Sequence, residues 1–326
     1  MITKRKFLAS AAGTLALPFL ARPSLAAVYP DRVIKMICAG SPGGPTDVMA
    51  RLLSQRLQMV LGQGVVVDAR GGGGGTVAAK AVQTAEPDGY TLLFCNTSVM
   101  ATIPALALKP EYDPVNDFAP VSKVSQSEQL LVTHPDVPAK SIKDIVAYMK
   151  ANPGKLNCGA TGYGGLPHMA AEYFKVQAGV DFTVVNYKGG GDTLSAVLGH
   201  QIDMTFETTT VVLPYIRDGK MRGLAISSEV RNPQAPEIPT MAEAGVPGYT
   251  VLSFNGVVVP AKTPPEIVAT LNAAITKVLE SPEMKADVAR LGGVLDVGTQ
   301  KDFAKFITRE SKRWRDVVEK GHIARQ

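Results

Sequence analysis

From residue 33 onward, short apolar runs alternate with stretches whose apolar positions recur every three to four residues. The first pattern predicts strands and the second helices. Ile34–Cys38 reads as a buried strand that stops at the Gly40–Pro45 loop, after which Val48, Leu52 and Leu53 carry helical spacing. Thr46 and Asp47 stand where that helix begins, and short polar side chains there can cap its free N–H groups. Gly64–Asp68 is a second strand, broken at Gly71–Gly75 before an alanine-rich helix, Thr76–Ala85. The turn Pro87-Asp88-Gly89 leads into a third strand, Tyr90–Cys95, and then into polar Asn96-Thr97-Ser98.

Past the Pro- and Asp-rich loop Lys109–Pro120, Ala119–Val124 and Gln129–Thr133 read as two further strands. Ser141 caps a helix, Ile142–Ala151. A second series follows: strand Leu156–Cys158, loop Gly159–Gly165, helix Pro167–Ala178, strand Thr183–Asn186, loop Lys188–Gly191 and helix Thr193–Leu198. Strand Ile202–Phe206, short helix Pro214–Asp218 and strand Gly223–Ser227 close it. Thr250–Val259 reads as a strand returning to the first sheet. Helices Pro265–Leu279, Pro282–Leu291 and Lys301–Lys320 complete the chain.

Strand–helix–strand alternation at this pitch predicts an α/β fold whose parallel strands are joined by right-handed crossovers. The chain is expected to cross to a second lobe near Val124 and return near Thr250. This gives one lobe from residues 27–124 plus 250–326, another from residues 125–249, and a ligand cleft between them.

Composition changes the picture mainly at the N-terminus. Lys4, Arg5 and Lys6 precede the apolar run Phe7–Leu20, and Ser24-Leu25-Ala26 fits a small-x-small cleavage site. Residues 1–26 therefore read as a secretory signal peptide. Thr3–Leu8 also resembles a twin-arginine signal with Lys in the first basic position, so the general route is favoured and the twin-arginine route stays open. Removal of Lys4, Arg5, Lys6 and Arg22 takes the formal charge from +5 to +1, which leaves no footprint for nucleic acid. No later apolar run approaches the ~18–20 residues of a membrane span. Cys38, Cys95 and Cys158 each end a predicted strand; they are expected as buried small hydrophobes, with a Cys38–Cys95 disulfide as the alternative.

Candidate chemistry begins at the first loop. A strand, a glycine loop and a helix N-terminus are how α/β proteins build an anion site. Gly71–Gly75 does not complete G-x-G-x-x-G, neither glycine loop carries G-K-[ST], and there is no G-x-S-x-G or H-E-x-x-H. His134, His168, His200 and His322 do not read as a metal set. Asp203 and Glu207 could form a carboxylate pair, but a Glu lining a cleft is the simpler reading. No catalysis, cofactor or metal is expected.

Tyr29-Pro30-Asp31-Arg32, Ser41-Pro42-Gly43-Gly44 with Thr46-Asp47, Arg70 beside the glycine run, and Pro87-Asp88-Gly89-Tyr90-Thr91 occur here in order. So do Tyr112-Asp113-Pro114, Phe118-Ala119-Pro120-Val121, His168, Tyr187-Lys188-Gly189 and Pro239–Gly245. The ordered set, spanning about Tyr29 to Val317, resembles the Bug/TctC family of solute receptors of tripartite tricarboxylate transporters. The resemblance implies a two-lobed periplasmic-binding-protein fold, of the Venus-flytrap, type II-like kind with two chain crossings. It implies a periplasmic receptor, expected to act as a monomer, that captures a small organic carboxylate for integral-membrane carrier subunits. The same fold could instead feed a two-component sensor; an exported hydrolase fits least.

By the same resemblance, Pro42, Gly43, Gly44, Thr46 and Asp47 of the first loop belong to the ligand site, with Asp47 capping or orienting the loop. Asn96, Thr97 and Ser98 join them from the first lobe. From the second lobe come Thr161, Gly162, Tyr163, Gly164, Gly165, His168 and Tyr187, with Glu207 and Thr208. His168 is equally open to a role as a buried N-terminal helix residue held by hydrogen bonds, Tyr187 is also open to a core role, and Glu207 to pairing with Lys188. This chain departs from the family at Gly165-Leu166-Pro167 and at Gly190-Gly191, where hydroxyl donors are common. A second carboxylate there would lack donors, each worth ~1.5–3 kcal/mol. The expected ligand is therefore a monocarboxylate or aromatic carboxylate, its far end packed on Tyr163, Leu166 and Phe254.

Overall fold

A computed structural model describes residues 29–187, 189–290 and 294–325; the expected signal peptide and the Lys188 partner of Glu207 lie outside them. The chain begins with β1 (Ile34–Cys38), α1 (Pro45–Leu61), β2 (Val65–Ala69), α2 (Thr76–Gln83) and β3 (Thr91–Asn96). β1 pairs in parallel with both β2 and β3. Successive strand residues face opposite sides, and each side has its own helices. Leu92 and Phe94 meet Leu53 and Leu57 of α1, whereas Leu93 and Cys95 meet Ala78 and Val82 of α2.

A π-helical turn at Ser98–Thr102 and helix α3 (Ile103–Leu106) follow β3, in a stretch between polar Asn96–Ser98 and the Lys109–Pro120 loop for which the sequence reading gave no element. The two strands expected at Ala119–Val124 and Gln129–Thr133 are one, β4 (Phe118–Thr133). Its first part pairs antiparallel with β9 (Leu252–Pro260), which also pairs with β3. Its last five residues pair with another sheet. That second lobe comprises α4 (Ile142–Ala151), β5 (Asn157–Thr161), α5 (Leu166–Ala178), β6 (Thr183–Tyr187), α6 (Gly190–Leu198), β7 (Met204–Thr208), α7 (Thr209–Arg217) and β8 (Arg222–Ile226). β5 pairs in parallel with β6 and β7, while β7 and β8 both pair antiparallel with β4. The polar run Ser125–Gln129 is thus the middle of a continuous strand at the crossing between lobes.

After β9 come α8 (Pro265–Glu280), α9 (Pro282–Arg290), β10 (Val294–Leu295) and α10 (Gln300–Lys320). β10 pairs with β4. α10 differs from the expected division of the chain, which confines residues 250–326 to the first lobe. Its Phe303 and Ile307 enter the first-lobe core, but Trp314, Val317 and Val318 pack with Phe174 and Phe206 of the second. No helix among the described residues is long and apolar enough to cross a membrane.

All three cysteines are free and buried. The alternative of a Cys38–Cys95 disulfide is overturned by register. Cys38 lies opposite Phe94, so Cys95 faces the other side of the sheet, where its thiol donates to the Gly256 carbonyl.

Candidate functional site

The cleft lies where the two lobes face each other and has a volume of about 700 Å³. Its first-lobe floor is the loop between β1 and α1. The N-cap of α1 is Gly44, not Thr46 or Asp47, and Pro45 supplies the first helical residue without an N–H. Asp47 works differently from a cap: its buried carboxylate accepts the Gly43 amide and the Arg51 Nε–H, both at 2.9 Å. Burial alone would raise its pKa, but these two donors hold it below the usual carboxylate range.

Gly44 gives its N–H to Ser41, and Val48 gives its own to Gly44. With Gly43 also engaged, the Gly43 and Gly44 amides are unavailable to a ligand. Among the described residues, the Thr46 and Asp47 amides of the first turn have no hydrogen-bond acceptor. They point the positive end of α1 at the cleft.

The second lobe repeats this device. α5 begins after Gly165, α6 after Gly189 and α7 after Thr208, and Gly165, Leu166, Gly190, Gly191 and Thr208 all line the cleft. Four helix N-termini therefore converge on one space. No Arg or Lys lines it among the described residues; the groups there that can favour an anion are backbone amides and neutral side chains.

Of the residues expected in the site, Gly43, Thr46, Asn96, Thr97, Ser98, Thr161, Gly165, Glu207 and Thr208 line the cleft. Asn96 and Thr97 are already engaged in the scaffold. The Asn96 amide donates to Ala39 O and accepts from Val99 N–H, and the Thr97 hydroxyl accepts from Phe254 N–H. Pro42, Gly44, Asp47, Gly162, Tyr163, Gly164, His168 and Tyr187 stand outside the lining.

The reasons are physical. His168 is buried, and its Nδ1 accepts from Gly164 N–H at 3.4 Å, while burial lowers its pKa. This places it among the alternatives as a buried helix residue. Tyr163 packs over His168 and donates its hydroxyl to Ala324 O, so it points to the C-terminus and not into the cleft lining. Gly162 N–H is taken by Tyr187 O, and Gly164 O accepts the Thr102 hydroxyl at 2.6 Å. Phe254, expected as a wall for an aromatic ligand, is fully buried against Phe303 and Phe306. Leu166 alone of the three expected apolar contacts faces the cleft.

The sequence reading missed Ser125, Gln126, Ser127 and Gln129 of β4, and Ser253 and Asn255 of β9. A polar run between two apolar strand segments was the available signal; it read as a break and is in fact the cleft's hinge-side wall. Also missed are Val48, Met49, Leu194 and Val211, which give the cleft apolar flanks.

Glu207 is the one carboxylate in the lining among the described residues. One of its oxygens accepts Thr208 N–H at 2.9 Å. The other lies beside the first turn of α6, where a Cβ on Gly190 would come within 3.5 Å of it. Enclosure by the walls raises its pKa, more than the Thr208 contacts lower it.

The profile described as "Tripartite tricarboxylate transporter family receptor" matches residues 49–323. Protein BugT of Bordetella pertussis is 36% identical over 301 residues, covering 92% of each chain. A UPF0065 protein from the gbd 5' region of Cupriavidus necator is 32% identical over 331 residues, with 99% of each chain covered. Among solved structures, an R. palustris protein with adipate superposes at a TM-score of 0.81 with 32% identity, covering 91% of this chain and 100% of that one. MatC from Rhodopseudomonas palustris with bound malate gives 0.79 at 31% identity, covering 89% and 100%.

Proposed function

The chain belongs to the tripartite tricarboxylate transporter receptor family, and from that premise we propose that it captures a small organic carboxylate between its lobes and delivers it to a membrane carrier. The family is one of periplasmic solute-binding receptors, not enzymes. One observation carries the reading: four helix N-termini meet in a cleft whose lining, among the described residues, has neither Arg nor Lys. Such a site favours a negative group through amides fixed in advance. The unpaired Thr46 amide, which lies in the cleft lining, is the grip for the carboxylate.

The ligand's far end is read from Glu207. The relatives solved with adipate and malate hold ligands with two carboxylates. Here a protein carboxylate already occupies the space beside α6, and a second ligand carboxylate would meet like charge at close range. Val48, Met49, Leu166, Leu194 and Val211 offer apolar contact between the two ends. The ligand is therefore a monocarboxylate with an apolar or aromatic body, and a hydroxyl or amine at its far end would donate to Glu207.

Closure bends the chain where β4 and β9 leave the first lobe. Gln129 N–H donates to the Ser227 hydroxyl at 2.8 Å and Val251 N–H to the Ser227 carbonyl at 3.1 Å, so one buried serine ties both crossings together. Only the closed form lets both lobes touch the ligand, which is how binding shifts the population. Calorimetric titration with 4-hydroxybenzoate, 4-aminobenzoate, benzoate, malate, adipate and citrate tests the proposal. Tightest binding by an aromatic monocarboxylate is expected. Tighter binding of malate or citrate overturns the ligand class, and failure of every acid to bind overturns the receptor reading.

A further inference from the structure

The far end of the second lobe, away from the cleft, carries a group of donors that carboxylate capture does not use. His134, Asp136 and His200 bring their ligand-type atoms within 4.8 Å of one another. His134 Nδ1 lies 3.5 Å and His200 Nδ1 3.7 Å from the same oxygen, Asp136 Oδ2. We propose that these three residues form a binding site for a divalent transition-metal ion of the zinc, cobalt or nickel type.

Geometry is the first support. Bonds of about 2.0–2.1 Å to a tetrahedral ion separate neighbouring donor atoms by about 3.3 Å. The two nitrogen–oxygen edges are already within a few tenths of an ångström of that value. Chemistry is the second. Two imidazoles and one carboxylate suit borderline ions, whereas calcium and magnesium select oxygen-rich shells.

The surroundings resemble an outer sphere. Asp203 Oδ1 stands 3.6 Å from His200 Nε2, on the side of the ring away from Asp136. Its other oxygen accepts Asn157 N–H at 2.7 Å, which fixes the carboxylate. A carboxylate behind the second nitrogen orients an imidazole ligand and raises its basicity. His134 is anchored by its own N–H to Asp203 O at 2.9 Å. His200 sits at a φ of +51°, a left-handed backbone unusual for a residue other than glycine, and this turn sets its ring over His134.

One movement is required. The two rings are stacked at 4.1 Å and 14°, so an ion cannot lie in both ring planes as they stand. His200 is the ring free to turn, its side chain being 39% exposed. His134 Nδ1 must also release the Asp136 N–H that it accepts at 3.2 Å. Metal binding is thus expected to break the stack.

The position is separate from the cleft. β4 runs from cleft-lining Gln129 to Thr133, just before His134; β7 runs back from Met204, just after Asp203, to cleft-lining Thr208. At roughly 3.3 Å per residue the ion would lie about 15 Å from the ligand. It would clamp the ends of β4, β7 and α6, the elements that carry the second lobe's side of the cleft.

Zinc titration of the untagged chain by calorimetry, with cobalt absorption as a second readout, tests this. One equivalent should bind, cobalt should show the visible bands of a low-coordinate N/O site, and the imidazole proton resonances of His134 and His200 should shift together. His134→Ala, His200→Asn and Asp136→Asn should each weaken binding at least tenfold. Asn tolerates the left-handed backbone at position 200, and Asp136 is exposed, so the fold survives both changes. Absence of saturable binding overturns the proposal, as does binding that persists in the His134→Ala/His200→Asn double variant.

Discussion

The Asp47 carboxylate accepts the Gly43 amide at 2.9 Å, four residues back along the chain. This contact fixes the loop that precedes α1, because Gly43 is left-handed, with a φ of +76°, and has no other restraint on its N–H. The Asp47 side chain therefore sets the geometry of the loop that forms the first-lobe floor of the cleft.

Replacing Asp47 by Ala should destabilise the fold by ~1.5–3 kcal/mol, the worth of a hydrogen bond to a charged group. Carboxylate affinity should fall with it, since binding must then also order the loop. Asp47→Asn keeps an acceptor for Gly43 and should lose less. The depressed pKa sets the pH sense: the contribution is present above the ordinary carboxylate range and is lost as pH falls through the lower folded value. Urea denaturation at neutral and acidic pH measures it; equal stability of Asp47→Ala and the parent at neutral pH would contradict the role.

Gly164 marks where the lobes touch. Its φ is +76°, and an added Cβ would fall 2.9 Å from the terminal methyls of both Ile103 and Leu106. Gly164→Ala should therefore wedge α3 away from the loop before α5, besides costing ~1–2 kcal/mol in backbone strain. X-ray scattering should report a larger radius of gyration and titration a weaker carboxylate complex. Thr102→Val removes only the hydrogen bond to Gly164 O and should have the smaller effect.

The α/β alternation was legible because each strand and helix carries its own period, and α4 appears at the bounds its Ser141 cap announced. The failures share a cause. The unity of β4 is set by β9 and β7, partners distant in sequence, which satisfy the backbone of a polar run that would otherwise break a strand. The same distance effect hid the loss of Tyr163 and Phe254 from the site. Tyr163 is drawn to Ala324 and Phe254 to Phe303 and Phe306, contacts that no local pattern encodes. Glu207 and Thr208 were legible as cleft residues because they end a strand, and strand ends are where α/β clefts form.

The cysteines give a chemical check on the register. Burial pushes the Cys38 thiol up to about 11, and drives Cys95 and Cys158 higher still. Thiolate is the reactive form, so all three should resist alkylation in the native protein at neutral pH. Mass spectrometry should find three alkylated thiols after unfolding without reductant. A count of one would restore the Cys38–Cys95 bridge.

Glu207 ties the stability of the fold to the ligand class proposed for the cleft. Its carboxyl pKa is raised chiefly by enclosure in the cleft walls, so ionising it costs free energy in the folded state. The stability it permits is fully present in acid, below the ordinary carboxylate value, and is lost as pH rises through the raised one. Glu207→Gln removes that loss. The variant should melt higher than the parent at neutral pH, and the gap should narrow as pH falls toward 4, within the usual carboxylate range. It should also bind malate and adipate more tightly than the parent does, because like charge no longer meets the second carboxylate beside α6. Aminobenzoate should weaken at the same time, having lost its charged acceptor. A variant that melts lower at neutral pH, with malate affinity unchanged, would show instead that Glu207 is paired with a cation of the protein and has no part in selecting the ligand.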